Sequence, residues 1–90
     1  MKISEVNIAL IKPKDGLIGF ASILIEDSFY LGNIGIHQKL DFSGYRLTYP
    51  KKGEQTIFYP IKRETGKLVE DYIFAKLHRI LEKRDNAPEA

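Results

Sequence analysis

The sequence predicts a small α+β domain, in which an antiparallel β-sheet (a three-stranded meander plus a short hairpin) is followed by one C-terminal amphipathic helix. Three observations support this fold class. Apolar residues alternate or form short runs in the first part of the chain, and clusters of Gly, Pro and Asp separate those runs. Towards the C-terminus, the apolar period changes to about 3.6 residues, as on the buried stripe of a helix.

The first two strands are predicted from an alternating segment and an apolar run that a turn joins. Between residues 2 and 12, the side chains of Val6, Ile8 and Leu10 share one face of a pleated strand. Residues 13–16, Pro-Lys-Asp-Gly, favour a chain reversal. Residues 17–25 are apolar at both odd and even positions, which predicts a central strand covered on both faces.

The third strand is predicted over residues 29–36, after a break at the polar residues 26–28. Gly32 and Gly35 interrupt its apolar residues. Glycines inside a strand indicate a bulge or a close approach of another backbone.

Two shorter strands are predicted over residues 45–49 and 56–59. Residues 50–55 lie between them and include Gly53 for the tight reversal, so they predict a hairpin connection. Pro60 then ends the pairing, because proline has no N–H group to donate to a ladder.

A helix is predicted from about Thr65 to Arg84, a length of about 30 Å. Thr65 is the predicted N-cap, because its hydroxyl can accept a bond from a backbone N–H of the first turn. We predict one domain over residues 1–84 and a frayed acidic tail over residues 85–90. The apolar stripe of the helix consists of Val69, Ile73, Leu77 and Ile80.

Length and composition limit the class of protein. Ninety residues suit one domain with a modest core, and 43% apolar with 29% charged residues is the balance of a globular chain. No cysteine is present, so neither a disulfide nor a thiolate metal site can form. No segment reaches the roughly 18 apolar residues that cross a bilayer, and the N-terminus does not resemble a signal peptide. We therefore expect a cytoplasmic protein.

Residues that could support catalysis are few. His37 and His78 are predicted at a strand end and on the outer helix face, and neither has metal-ligand spacing. Glu70 and Asp71 are about 100° apart on the helix and cannot act together as an acid/base pair. The sequence contains no P-loop or nucleophile elbow, and the GxxG at residues 32–35 has strand-like flanks, unlike that of KH domains. We expect no enzyme activity, cofactor or metal.

Positive charge is concentrated in the second half of the chain. The formal net charge is +2, but residues 46–84 hold ten bases and five acids, whereas residues 1–45 hold four bases and five acids. Tyr49, Phe58 and Tyr59 lie near several of these bases, and aromatic rings can stack on nucleobases. The alternative interpretation is that the lysines only keep the protein in solution. The candidate nucleic-acid-binding residues are Lys51, Lys52, Lys62, Arg63 and Lys67.

A second cationic stripe is predicted on the helix. It consists of Tyr72, Lys76, Arg79 and Lys83, which project within about 60° of one another, and we interpret it as a solvated face. Phe74 projects away from the apolar stripe, which predicts an exposed aromatic that could mark an oligomer contact.

Three local strings have counterparts in a known family. They are Ala21-Ser22-Ile23, Tyr49-Pro50-Lys51-Lys52-Gly53 and Tyr59-Pro60-Ile61. In this order and spacing they resemble the stage V sporulation protein G (SpoVG) family, which has a Pro-Ser-Lys-Arg segment at the second string and His-Pro-Ile at the third. The resemblance covers about residues 3–83. Gly-Asn-Ile-Gly at residues 32–35 departs from the family's His-Asp-Ile-Arg.

The resemblance implies a homodimeric bacterial protein that binds nucleic acid and regulates transcription, sporulation or septation without a cofactor. By position, Lys51 and Lys52 fall on the family's basic loop, and Lys62, Arg63 and Lys67 on the start of its C-terminal helix. We expect DNA, with RNA as a variant, to be held mainly by phosphate contacts. The alternative is a protein-interaction module that acts through the exposed sheet edge or the outer helix face, without nucleic acid.

Overall fold

The computed structural model describes residues 1–85, which form six strands and one helix. Four strands make one antiparallel sheet in chain order: β1 (Ile3–Lys14), β2 (Leu17–Ile25), β3 (Phe29–Gln38) and β4 (Tyr45–Thr48). A two-stranded ribbon of β5 (Lys51–Lys52) and β6 (Gln55–Thr56) follows, and then helix α1 (Arg63–Asp85). The predicted α+β class is confirmed. Beyond Asp85, the proposed tail lies outside the described residues.

Tight turns with positive φ join the strands of the meander. Asp15 and Gly16, between β1 and β2, have φ angles of 52° and 88°, which confirms the reversal predicted for residues 13–16. Positive φ at both central residues gives a turn whose twist matches that of the flanking strands. Glu26 and Asp27, between β2 and β3, have φ angles of 53° and 52°. The backbone N–H of Asp27 donates to Ser4 Oγ (3.0 Å), which ties this turn to the start of β1.

The two glycines of β3 have the roles expected of strand glycines. The pairing of β2 with β3 shifts register between Ala21 and Ile23, opposite Gly32. A Cβ on Gly35 would stand 2.5 Å from Thr48 Oγ1, so β4 can approach β3 here only because residue 35 has no side chain.

Helix α1 packs on one face of the sheet, and the core lies between them. The opposite face is open, and Phe20 and Tyr30 are exposed on it. The prediction that β2 is covered on both faces is therefore wrong, since α1 covers one face and no described residues cover the other. Ile80 of the predicted stripe is only half-buried. The fully packed core residues are Ile3, Ala21, Ile23, Ile34, Ile36, Val69, Ile73 and Leu77.

The predicted pairing of residues 45–49 with residues 56–59 is wrong. β4 pairs with β3 instead, with Leu47 opposite Ile36, and it becomes the fourth strand of the sheet. This pairing lets Tyr45 and Leu47 pack against the core, which an isolated two-stranded hairpin cannot provide. The hairpin that does form is the shorter ribbon, with Lys51 opposite Thr56.

The helix begins at Arg63, so Thr65 lies within its first turn and the N-cap prediction is wrong. The backbone carbonyl of Lys62 accepts a hydrogen bond from the N–H of Gly66 (3.0 Å). A Cβ on Gly66 would stand 3.7 Å from the ring of Pro60, so the segment before the helix crosses over its first turn. No helix in the described part of the chain has the length and apolar character needed to cross a membrane.

Candidate nucleic-acid interface

Lys51 and Lys52 lie on strand β5, and not in a loop as the sequence suggested. The turn of the ribbon begins at Gly53, which has a φ of 62°, so both lysines precede it. Successive strand residues point to opposite faces, and the two exposed ammonium groups therefore leave the ribbon in opposite directions. Lys51 lines a hollow together with Tyr49 and Tyr59, whereas Lys52 does not line this hollow.

The aromatic residues between the ribbon and the helix have different environments. The rings of Tyr49 and Phe58 meet edge to face with their centroids 5.9 Å apart. Tyr49 is half-buried, and burial together with the nearby carboxylate of Glu70 raises the pKa of its hydroxyl. Tyr59, in contrast, is 60% exposed. Of these three rings, Tyr59 is thus the one with a free face for a base.

Arg63 and Lys67 lie on the flank of α1 that faces β4. Lys62 precedes the helix, Arg63 is its first residue, and Lys67 is one turn further on the same side. Phe74 lies about two turns after Lys67 on that flank, and its ring is 6.1 Å from the ring of Tyr45 in β4. The prediction of an exposed Phe74 is therefore wrong, because Phe74 is half-buried against this strand.

Tyr59 connects the two groups of cations. It lines the hollow that contains Lys51, and it also lines a second, apolar hollow that contains Thr65 and Val69 of the first helical turns. The ribbon and the helix start therefore lie at the same end of the molecule, which we call the basic end. The structure brings Lys51, Lys62, Arg63 and Lys67 to this end, while Lys52 points away from the hollow.

Acidic residues at the basic end reduce its positive potential. Glu54 lines the same hollow as Lys51. Glu64 is in the first turn of the helix, where its carboxylate is favourable to the helix dipole. Asp71 Oδ1 is 3.9 Å from Lys67 Nζ in an exposed i,i+4 pair, which is worth only about 0.3–0.5 kcal/mol. The basic end therefore offers single cations with a weak surrounding field.

Sequence reasoning missed one cation at this end. Ile3 pairs with Ile25, and the backbone N–H of Glu26 donates to the carbonyl of Lys2 (2.8 Å). Because Ile25 lines the apolar hollow that also contains Tyr59, Lys2 lies at the basic end. Antiparallel pairing brings the start of β1 to this end, and no local signal in the sequence around Lys2 indicates it.

His37 is half-buried near the end of β3. Its Nε2 is 2.9 Å from Thr48 Oγ1, across the β3–β4 pair. Burial lowers the pKa of the imidazole, and the positive charge of Arg46 lowers it further. Within the described part of the chain, no three His, Asp or Glu side chains are arranged to hold a metal ion.

No model of a known protein family matches this chain, and no curated protein matches it either. The resemblance to the SpoVG family therefore stays a prediction, which rests on three short strings and their spacing.

Proposed function

We propose that this chain binds nucleic acid as a bacterial regulatory protein, with duplex DNA as the first ligand and RNA as the variant. Lys51, Lys62, Arg63 and Lys67 would contact phosphates, and Lys52 would contribute from the other face of the ribbon. The observation that supports this proposal is that Tyr59 adjoins both the ribbon and the helix start. A role in transcription, sporulation or septation is part of the proposal and is motivated by the resemblance alone.

The expected binding mode depends little on base sequence. Lysines that contact phosphates release counterions, so affinity falls as salt rises. Contacts of this kind position a protein on the duplex without reading its bases. Nothing in residues 1–85 resembles a helix-turn-helix, because that part of the chain has a single helix. Glu54 and Asp71 at the basic end make us expect modest affinity at physiological salt.

The test is a titration of duplex DNA at several salt concentrations with the variant Lys51→Ala plus Lys52→Ala. We expect weaker binding to many duplex sequences, and a slope of log K against log salt that becomes shallower by about 0.9 for each lost phosphate contact. The matched control is Lys12→Ala plus Lys14→Ala. Lys12 lines a groove with Tyr45 and Leu81 at the opposite end of the sheet, and the control removes the same two charges.

The outcome that contradicts the proposed site is an equal loss of affinity and slope in both double variants, since overall charge alone would then explain binding. Parallel titrations with single-stranded DNA and RNA decide which nucleic acid is preferred. If none of the three binds even at low salt, the protein-interaction alternative replaces this proposal.

A further inference from the structure

A groove runs between β1 and α1, on the helix flank opposite Phe74; we call it the β1 groove. It is lined by Ile3–Asn7 of β1 and by Tyr72, Lys76 and Arg79 of α1. Its volume is about 300 Å³, roughly ten times the share of one water in the liquid, so it has room for side chains. These helix residues belong to the second cationic stripe that the sequence predicts, whose remaining member, Lys83, does not line the groove.

The strand that borders the groove is an open edge. β1 is the first strand of the sheet, and its outer side has no partner among the described residues. From Glu5 to Leu10 it pairs with β2 in unbroken register, so its outer backbone groups are also spaced as a regular ladder. Lys12, Pro13 and Lys14, residue types that protect edges from pairing, lie only at the far end of the strand.

The helix side of the groove carries positive charge that is not neutralised. Glu5 supplies the only carboxylate among the groove-lining residues. Within the described side chains, the one salt bridge is that between Lys67 and Asp71, away from this flank. Lys76 and Arg79 are therefore available to anions that enter the groove.

We propose that the β1 groove binds an extended acidic peptide segment of a partner protein. The segment adds to the outer edge of β1 as a fifth strand, and its carboxylates contact Lys76 and Arg79. This site is separate from the basic end, and the proposal does not depend on nucleic-acid binding.

The dimensions of the groove match such a segment. Side chains on one face of a strand repeat about every 7 Å. Lys76 and Arg79 are three residues apart, about 4.5 Å along the helix axis. Their long side chains can make up the difference between this spacing and the strand repeat of about 7 Å. A peptide also pairs with the edge N–H and C=O groups of Glu5–Leu10, which a nucleic-acid backbone cannot match. The combination of an unpaired edge and two cations therefore favours a peptide over a nucleic acid.

The experiment uses a fluorescent, capped peptide of about eight residues with alternating glutamate and threonine, which places all carboxylates on one face. We expect saturable binding to the full chain, and slower amide exchange at residues 5–10. Lys76→Glu plus Arg79→Glu should raise the Kd at least about tenfold. The matched control, Lys39→Glu plus Arg46→Glu, makes the same change in charge at exposed positions outside the groove and should leave the Kd within about twofold.

A second peptide tests the strand pairing independently of any variant. Methylating the backbone nitrogens on one edge of the peptide removes its ladder donors without changing its charge, and we expect binding to be lost. Equal affinity of the methylated peptide, or of the Lys76/Arg79 variant, overturns the proposal. It is also overturned if the charge reversal weakens duplex DNA binding more than Lys51→Ala plus Lys52→Ala does, since the groove would then serve nucleic acid. If the Lys76→Glu plus Arg79→Glu variant loses a dimer that the parent chain and the control variant form, the groove binds a second copy of this chain and not a peptide.

Discussion

At the scale of single residues, Gly35 controls how closely β4 packs on β3. Its replacement by alanine would place a Cβ 2.5 Å from Thr48 Oγ1 and 3.2 Å from His37 Nε2. We expect Gly35→Ala to lower the free energy of unfolding by about 1–3 kcal/mol, as overpacking of a packed site does. Chemical denaturation measures this change.

Two further variants test whether the clash with Thr48 causes this loss of stability. The atoms nearest to a Cβ on Gly32 belong to the ring of Tyr30, which is exposed and can move, so Gly32→Ala should cost much less. Thr48→Ala removes the closest obstacle, and the Gly35→Ala change should be milder in its presence. Equal costs with and without Thr48 would show that the clash does not explain the effect.

His37 should make stability depend on pH. Burial and Arg46 hold the pKa of His37 below its ordinary value of 6.5, so the unfolded chain takes up the proton first as pH falls. Stability should therefore be highest above pH 6.5 and decrease from there down through the lower pKa of the folded state. Thermal unfolding followed from about pH 7.5 to pH 5 measures this decrease.

Two variants test the source of this pH dependence. His37→Gln keeps a hydrogen-bonding side chain but cannot titrate, so its stability should vary less over the same interval. Thr48→Val should retain the dependence, because burial, the main cause of the lowered pKa, remains. An unchanged profile in His37→Gln would assign the pH dependence to other groups.

At the scale of elements, the sequence predicts those that local patterns specify. The turn at Asp15-Gly16, the strands of the meander and the stripe of Val69, Ile73 and Leu77 all follow from residue chemistry within a few positions. The helix begins two residues before the predicted start at Thr65, because Thr65 is a good capping residue whereas the chain crossing at Pro60 has no local signal. Such crossings depend on tertiary packing.

The pairing of β4 illustrates the same limit. Residues 45–49 and 50–55 carry the signals of a short strand and a turn, which together predict a hairpin with the strand that follows. The competing partner, β3, is joined to β4 by residues 39–44, a connection no longer than residues 50–55, and it gives Leu47 a place opposite the fully buried Ile36. Between two partners at a similar distance in the sequence, burial decides the pairing.

The sequence predicts which cations belong to the candidate site, but not how they are arranged in space. Sequence position suggested that Lys51 and Lys52 act together on a loop, whereas strand geometry sends them to opposite faces of the ribbon. The nearness of the ribbon to the helix start depends on Tyr59 and on the path through Pro60. Neither can be read from spacing, because both depend on how the segment between the ribbon and α1 packs.

At the scale of the whole molecule, the described residues cover one face of the sheet and leave the other open. The open face carries Phe20 and Tyr30, which are 39% and 69% exposed. Aromatic side chains grouped on one face of a small protein are typical of an interaction surface. We expect two copies of the chain to meet on this face, with the β1 edge left free for the proposed peptide.

Light scattering should therefore give about twice the 10.3 kDa of one chain at tens of micromolar protein. Phe20→Lys plus Tyr30→Lys should produce a monomer, because two desolvated ammonium groups on each copy would face one another across the interface. Leu40→Lys plus Ile61→Lys adds the same charges at residues that are 97% and 90% exposed and lie outside the sheet, so this control should stay dimeric. A monomeric parent chain would rule out the dimer. Dissociation of the control would show that the interface does not lie on the open face, because charges at distant positions do not disturb a contact made by Phe20 and Tyr30.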